Sequence, residues 1–366
     1  MERGSRHTSA GKAFRNAVAA ILVAAAFAGT ADAARRDRSS APRAASENDR
    51  AWAVHVDNDL FAFAEEDRDY TAGLSVAFAG RAKGLARALD WIDARTRFGV
   101  DHPAERAESF EVGLLLFTPN DLAEREPILD DRPYANLAYV ASSKLALDPT
   151  RPVAYQSSLT VGMLGLPFIG ELHRETHEAL NIDAPMGYEH QISAGGEPTF
   201  RYSVTRHRLL RQGAYRGRPH SLRLGLTGSV GYLTEANAEL EFRWGNLGAP
   251  WWSSVPAGSE YAGHPPLGGA REDGAVRKRR FELSAGVTLR ARLYNSFLQG
   301  QARTSAVEHD ASDLEHFLIE AWLGFTAAFK NDLRVSYTVR HQTEELAFGR
   351  GARGFTWASF GVAQQF

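Results

Sequence analysis

Apolar and polar residues alternate along most of the second half of the chain. In SLRLGLTGSVGYL, Leu222, Leu224, Leu226, Val230 and Tyr232 are interleaved with Arg223, Thr227 and Ser229. In FELSAGVTLRAR, Phe281, Leu283, Ala285, Val287 and Leu289 alternate with Glu282, Ser284, Thr288, Arg290 and Arg292. FLIEAWLGF puts Phe317, Ile319, Ala321, Leu323 and Phe325 on one face, and LRVSYTVR sets Leu333, Val335, Tyr337 and Val339 against Arg334, Ser336, Thr338 and Arg340. Successive side chains of a strand point to opposite faces, so a period of two over these lengths predicts strands with one apolar and one polar face.

A soluble β-sandwich shares this pattern. Three features favour a membrane barrel. Several runs reach the roughly ten residues that a tilted strand needs to cross a bilayer. Their polar faces carry small residues and Arg, as a wet lumen does. The last segment, GFTWASFGVAQQF, is rich in aromatics and ends on Phe366. The expected fold is therefore all-β: a transmembrane antiparallel β-barrel of about 12 strands, counted between Ala51 and Phe366, with short helical insertions and long loops. Closure leaves no edge strand exposed.

The chain start reads differently. Arg3, Arg6, Lys12 and Arg15 precede the apolar run AVAAILVAAAFAG, and Ala31-Asp32-Ala33 follows it. A basic start, a short apolar run and an A-x-A pattern predict a signal peptide over residues 1–33, with export to the outer membrane. Residues 34–50 are polar and read as a flexible lead-in. Residues 51–366 then form one barrel domain. Three segments interrupt the strands: the charged connection 119–134, a short helix within 167–188 (ELHRETHEALNI), and a Gly/Pro-rich loop over 245–277 with adjacent Trp251 and Trp252. A purely structural barrel has no need of a helical insertion, and long loops tend to be functional.

Composition narrows the chemistry. The formal charge is -2, which implies no basic surface for nucleic acid. The chain has no cysteine, which removes disulfides, thiolate metal sites and a thiol nucleophile. There is no G-x-S-x-G elbow, no H-E-x-x-H and no phosphate-binding glycine loop. His173 and His177 share one face of the expected helix, a spacing that is the solvated side of a helix as readily as half of a metal site. The stretch VDNDLFAFAEEDRDYTAGLSVAF is more specific. Asn58, Asp59 and Thr71 offer carbonyl, carboxylate and hydroxyl oxygens, which are hard donors suited to calcium. His177 supplies a base of near-neutral pKa, and Asp183 a carboxylate to orient it or to help a cation. Together these would activate water without a covalent nucleophile. Spacing alone leaves open a plain polar turn at Asn58-Asp59.

In order along the chain, Asn58-Asp59 and Asp69-Tyr70-Thr71-Ala72-Gly73-Leu74, then Phe117-Thr118-Pro119-Asn120-Asp121 and Asp131-Arg132-Pro133-Tyr134-Ala135, then Gly170-Glu171, His177, Asp183 and Gln191, and finally the aromatic last strand form a set. This set resembles the outer-membrane lipid A 3'-O-deacylases (the LpxR-like family). The resemblance implies a twelve-stranded outer-membrane barrel that uses Ca2+ to hydrolyse the ester holding the 3'-acyloxyacyl chain of lipid A. It implies catalytic roles for His177, Asp183 and Thr71 and metal-binding roles for Asn58 and Asp59. Asp183 stands where the family carries Glu. The expected partners are lipid A or lipopolysaccharide and outer-membrane lipids, with no nucleic acid, on a monomeric barrel. Two other classes fit the same barrel pattern: an inactive structural or channel-forming barrel, and an outer-membrane phospholipase.

Overall fold

The computed structural model describes residues 51–62, 68–246, 249–252, 280–329 and 333–365. The expected signal peptide, the lead-in and most of the 245–277 loop lie outside the described residues.

Twelve strands follow one another: β1 (Ala51–Asn58), β2 (Asp69–Ala79), β3 (Glu105–Thr118), β4 (Ala135–Leu147), β5 (Val153–Leu164), β6 (Glu197–Tyr215), β7 (Arg218–Gly231), β8 (Leu233–Gly245), β9 (Arg280–Asn295), β10 (Phe317–Ala328), β11 (Arg334–Gln342) and β12 (Phe355–Gln365). Each pairs antiparallel with its neighbours in sequence, and β1 pairs with β12 to close the barrel. Two helices of 14 residues lie between strands, α1 (Lys83–Thr96) after β2 and α2 (Pro167–Leu180) after β5. The start of β1, the end of β12 and α1 mark the near end of the barrel. Asn58, α2 and the 119–134 connection mark the far end.

The alternation sorts the two faces as the sequence pattern requires. Leu283, Leu289, Leu293, Phe317, Leu323 and Phe325 are exposed on the outer wall, whereas Glu282, Thr288, Arg290 and Arg292 between them are buried inside. Charges inside a barrel of this size must pair, because an isolated buried ion costs several kcal/mol. They do so in ladders of ion pairs. Glu235 accepts from Arg290 at 3.1 Å and from Arg292 at 2.7 Å, Glu320 pairs with Arg290 and Arg340, and Arg243 forks onto Glu282 at 2.8 and 2.9 Å. An aromatic and aliphatic cluster crosses the interior at the far end, with Tyr70, Phe117, Phe297 and Trp357 in ring contact. At the near end Trp252 is buried against Ala107, Leu145 and Ala154, all on the inner face. It packs into the lumen there.

α1 has no counterpart in the expected elements. Its spacing of Leu85, Ala86, Leu89 and Ile92 is that of a helix face, and Ala86, Leu89 and Asp93 are its buried residues.

Candidate active site

The far end of the wall formed by β1 to β4 carries a polar patch that points outward. Leu74 of β2 is exposed on the outer wall and registers with Val56 of β1 and Leu114 of β3. Counting in twos from these places Asn58 and Thr118 on the same outer face. Leu116 registers with Asn136 of β4, which extends the face by one strand. A register shift between Asp69 and Ala72 inserts an extra residue into β2. This bulge re-aims the strand, as bulges do beside functional sites. It lets Tyr70 point inward, its hydroxyl donating to Asp57 at 2.8 Å, while the Thr71 hydroxyl lies 2.6 Å from that of Thr118.

Hydrogen bonds fix the patch. The Asn58 amide donates to the Thr71 carbonyl at 2.6 Å, and its side-chain oxygen accepts from the Leu60 N–H at 2.8 Å. Asp59 is buried and accepts from the N–H groups of Leu60 at 2.8 Å and Arg68 at 2.6 Å. Asn58, Asp59 and Thr71 are thus brought together. Among the described residues no group of three or more His, Cys, Asp and Glu converges. The patch instead offers amide, hydroxyl and carboxylate oxygens, each with lone-pair capacity beyond the bonds above. Such a donor set fits a hard cation such as calcium.

α2 carries His177, the expected base. Its first residue is Pro167, where the missing N–H costs nothing, and Leu166 before it is extended. Asn136 clamps this entry. Its side-chain oxygen accepts from the Leu166 N–H at 2.9 Å, and its amide donates to the Leu166 carbonyl at 3.2 Å and to Gln191 Oε1 at 2.5 Å. The helix is therefore rooted on the same outer face as Asn58 and Thr118. It ends at Asn181, in the left-handed conformation at φ 56°. The turned chain then brings the Asp183 main-chain carbonyl back to His177, 2.6 Å from Nδ1. His177 and His173 are buried, their rings edge to face at 4.3 Å, and His173 Nδ1 lies 2.9 Å from the Tyr188 hydroxyl.

The Asp183 side chain is exposed, so the contact that orients His177 comes from the backbone of the expected residue and not from its carboxylate. An Asp in place of Glu leaves that contact unchanged.

The two groups are joined through the 119–134 connection. Arg68, whose N–H meets Asp59, donates its guanidinium to Asn120. The Asn120 N–H donates to Asp131 at 2.8 Å, and Arg353 forks between Asp131 and Asp69, at 2.8 Å to each. Burial works against the charge on Arg353, but Asp69 and Asp131 hold its pKa above the ordinary value. Arg132 pairs with Glu345 and lies over the Phe117 ring at 5.0 Å. From there Tyr134 packs on Tyr188, ring centroids 4.5 Å apart, and so reaches His173. Asn136 and Arg353 were not among the expected residues. A lone Asn in a strand and an Arg in a turn carry no local signal, since their importance comes from partners 30 and 284 residues away.

Comparison with known proteins agrees with this architecture. A family model described as "Outer membrane protein LpxR" matches residues 17–366. Among solved structures, LpxR from Salmonella typhimurium superposes with a TM-score of 0.65 at 16% identity, over 86% of this chain and 100% of that one. The β-domain of the Bordetella autotransporter BrkA gives 0.36 at 9% identity, over 87% of this chain and 99% of that one. No curated protein sequence matches the chain. With a family model spanning nearly its whole length and a closed twelve-stranded barrel, the chain belongs to the LpxR family of outer membrane proteins.

Proposed function

We propose that the chain is a calcium-dependent lipid A 3'-O-deacylase that hydrolyses the ester holding the 3'-acyloxyacyl chain. The observation that carries this reading is the outward aim of Asn58, Thr71 and Thr118 at the far rim. A lipid in the bilayer reaches a site on the outer wall without entering the barrel. A passive pore is disfavoured by the Arg–Glu ladder that fills the interior.

In this reading His177 is the general base. Its Nδ1–H donates to the Asp183 carbonyl, which makes Nε2 the basic nitrogen that takes a proton from water. The water oxygen attacks the ester carbonyl, and His177 then returns the proton to the departing sugar oxygen. The products are a free acid and a sugar hydroxyl. Thr71 positions the water, with its hydroxyl set by Thr118. Asn58 and Asp59 would hold Ca2+, which supplies fixed positive charge where the carbonyl oxygen becomes an oxyanion.

The test is mass spectrometry of lipid A from Gram-negative cells expressing the chain, beside His177→Ala. A mass loss matching a 3'-linked acyloxyacyl group, absent in the variant, is the expected result. Intact lipid A with a folded barrel in the outer membrane would overturn the reading, and cleaved phospholipid would replace it with a phospholipase.

A further inference from the structure

We infer that α1 is a membrane-surface helix whose exposed basic stripe docks on anionic phospholipid headgroups in the leaflet at the near end of the barrel. The assignment of that leaflet as the one opposite lipid A rests on the function proposed above.

α1 sits on the outside of the wall. Phe200 is exposed on the outer face of β6, so Tyr202 shares that face. Tyr202 registers with Leu159 of β5, and Ser157, two residues on, registers with Lys144 of β4. All three outward side chains converge on the buried Asp93 of α1. Its carboxylate accepts from Tyr202 at 2.6 Å, Ser157 at 2.7 Å and Lys144 at 2.6 Å. A lipid-facing wall does not otherwise carry such a polar cluster, and the helix covers it.

The opposite side of the helix is built for something else. At 100° per residue, Lys83, Arg87, Trp91 and Arg95 form one i, i+4 stripe facing away from Ala86, Leu89 and Asp93. All four are exposed, Trp91 at 58%, and the Arg95 guanidinium lies 3.5 Å from the Trp91 ring centroid. The helix's two acidic side chains are both paired with cations. Asp90 accepts from Lys144 at 2.8 Å and pairs with Arg81, and Asp93 is held as above. Every charge on the outward stripe is therefore basic. Arg106 and Arg208, exposed on the outer faces of β3 and β6 near the same end, continue it along the wall. A cationic stripe around one Trp, on a helix lying beside lipid, is the chemistry that binds anionic headgroups. An occupant made of protein would leave the Trp–Arg stack to compete with the surrounding lipid.

The test is native mass spectrometry of the barrel purified from outer membranes and exchanged into mixed micelles with phosphatidylglycerol, phosphatidylethanolamine or lipid A. Wild type is compared with Lys83→Gln/Arg87→Gln/Arg95→Gln, with folding checked by heat-modifiable gel mobility. Wild type should retain phosphatidylglycerol over phosphatidylethanolamine. Each basic residue at an anionic surface is worth about fivefold in binding, so the triple variant should lose tenfold or more of that preference. Deacylation is expected to be unchanged, because α1 lies at the other end of the barrel. No preference in wild type, a preference that survives in the variant, or a stripe that selects lipid A instead would each overturn the inference. Lipid A left intact by a wild type that still prefers phosphatidylglycerol would sink the proposed function alone.

Discussion

The source of His177 orientation separates two mechanisms that sequence cannot tell apart. If the Asp183 carboxylate held the imidazole, as in Ser-His-Asp hydrolases, its removal would leave the ring in the wrong tautomer. In those enzymes the penalty is about 10⁴-fold in kcat. Here the acceptor 2.6 Å from Nδ1 is the Asp183 carbonyl, and the side chain is exposed. Asp183→Ala keeps the carbonyl, so the tautomer and the ring position should survive. The expected loss is less than tenfold, about 1 kcal/mol or below, the scale of a surface substitution near a site. His177→Ala should lose the general-base contribution, about 10²- to 10⁴-fold. The assay is the initial rate of 3'-acyl release from purified lipid A by folded protein, followed by mass spectrometry. Asp183→Ala falling as far as His177→Ala would refute backbone orientation and return the role to the carboxylate.

Four further outcomes follow from the same geometry. Asn181 holds the left-handed turn that aims the Asp183 carbonyl, so Asn181→Gly should retain activity while Asn181→Val, strained by about 1–2 kcal/mol at φ 56°, should lower kcat and the melting temperature together. Chelation of calcium should abolish deacylation and its restoration should recover it, with Asp59→Asn needing a higher calcium concentration for half-maximal rate; full activity in excess chelator would count against the metal role. Arg353→Ala removes the guanidinium shared by the buried Asp69 and Asp131, leaving Asp69 only Arg132 at 3.8 Å and Asp131 only the N–H groups of Asn120 and Arg132, and should cost about 3 kcal/mol, read as a lower unfolding temperature of the detergent-solubilised barrel. Asn136→Leu removes both hydrogen bonds to Leu166 and should lower kcat more than it lowers barrel stability, because the strand keeps its ladder while α2 loses its root.

What the sequence disclosed and what it withheld divide along a physical line. The strands were legible because a membrane barrel imposes a period of two on residues such as Phe281 to Leu289, and the bilayer favours apolar residues at outward positions. Asn58, Asp59, Thr71 and His177 were legible as an ordered set of polar residues where strand physics asks for none. The direction they face was not. It depends on the bulge between Asp69 and Ala72, and one inserted residue reverses a side chain's face without changing the composition. The carboxylate of Asp183 drew attention because chemistry is read from side chains, whereas the contact to His177 is made by a carbonyl that every residue possesses. α1 was hidden for a related reason. Its buried Asp93 looks like a solvated charge until the register of β4, β5 and β6 puts Lys144, Ser157 and Tyr202 on the same patch of wall. Those partners lie 51, 64 and 109 residues further along the chain. A barrel fixes such distant neighbours only once its register is set, so the residues whose function depends on register are the ones a linear reading passes over.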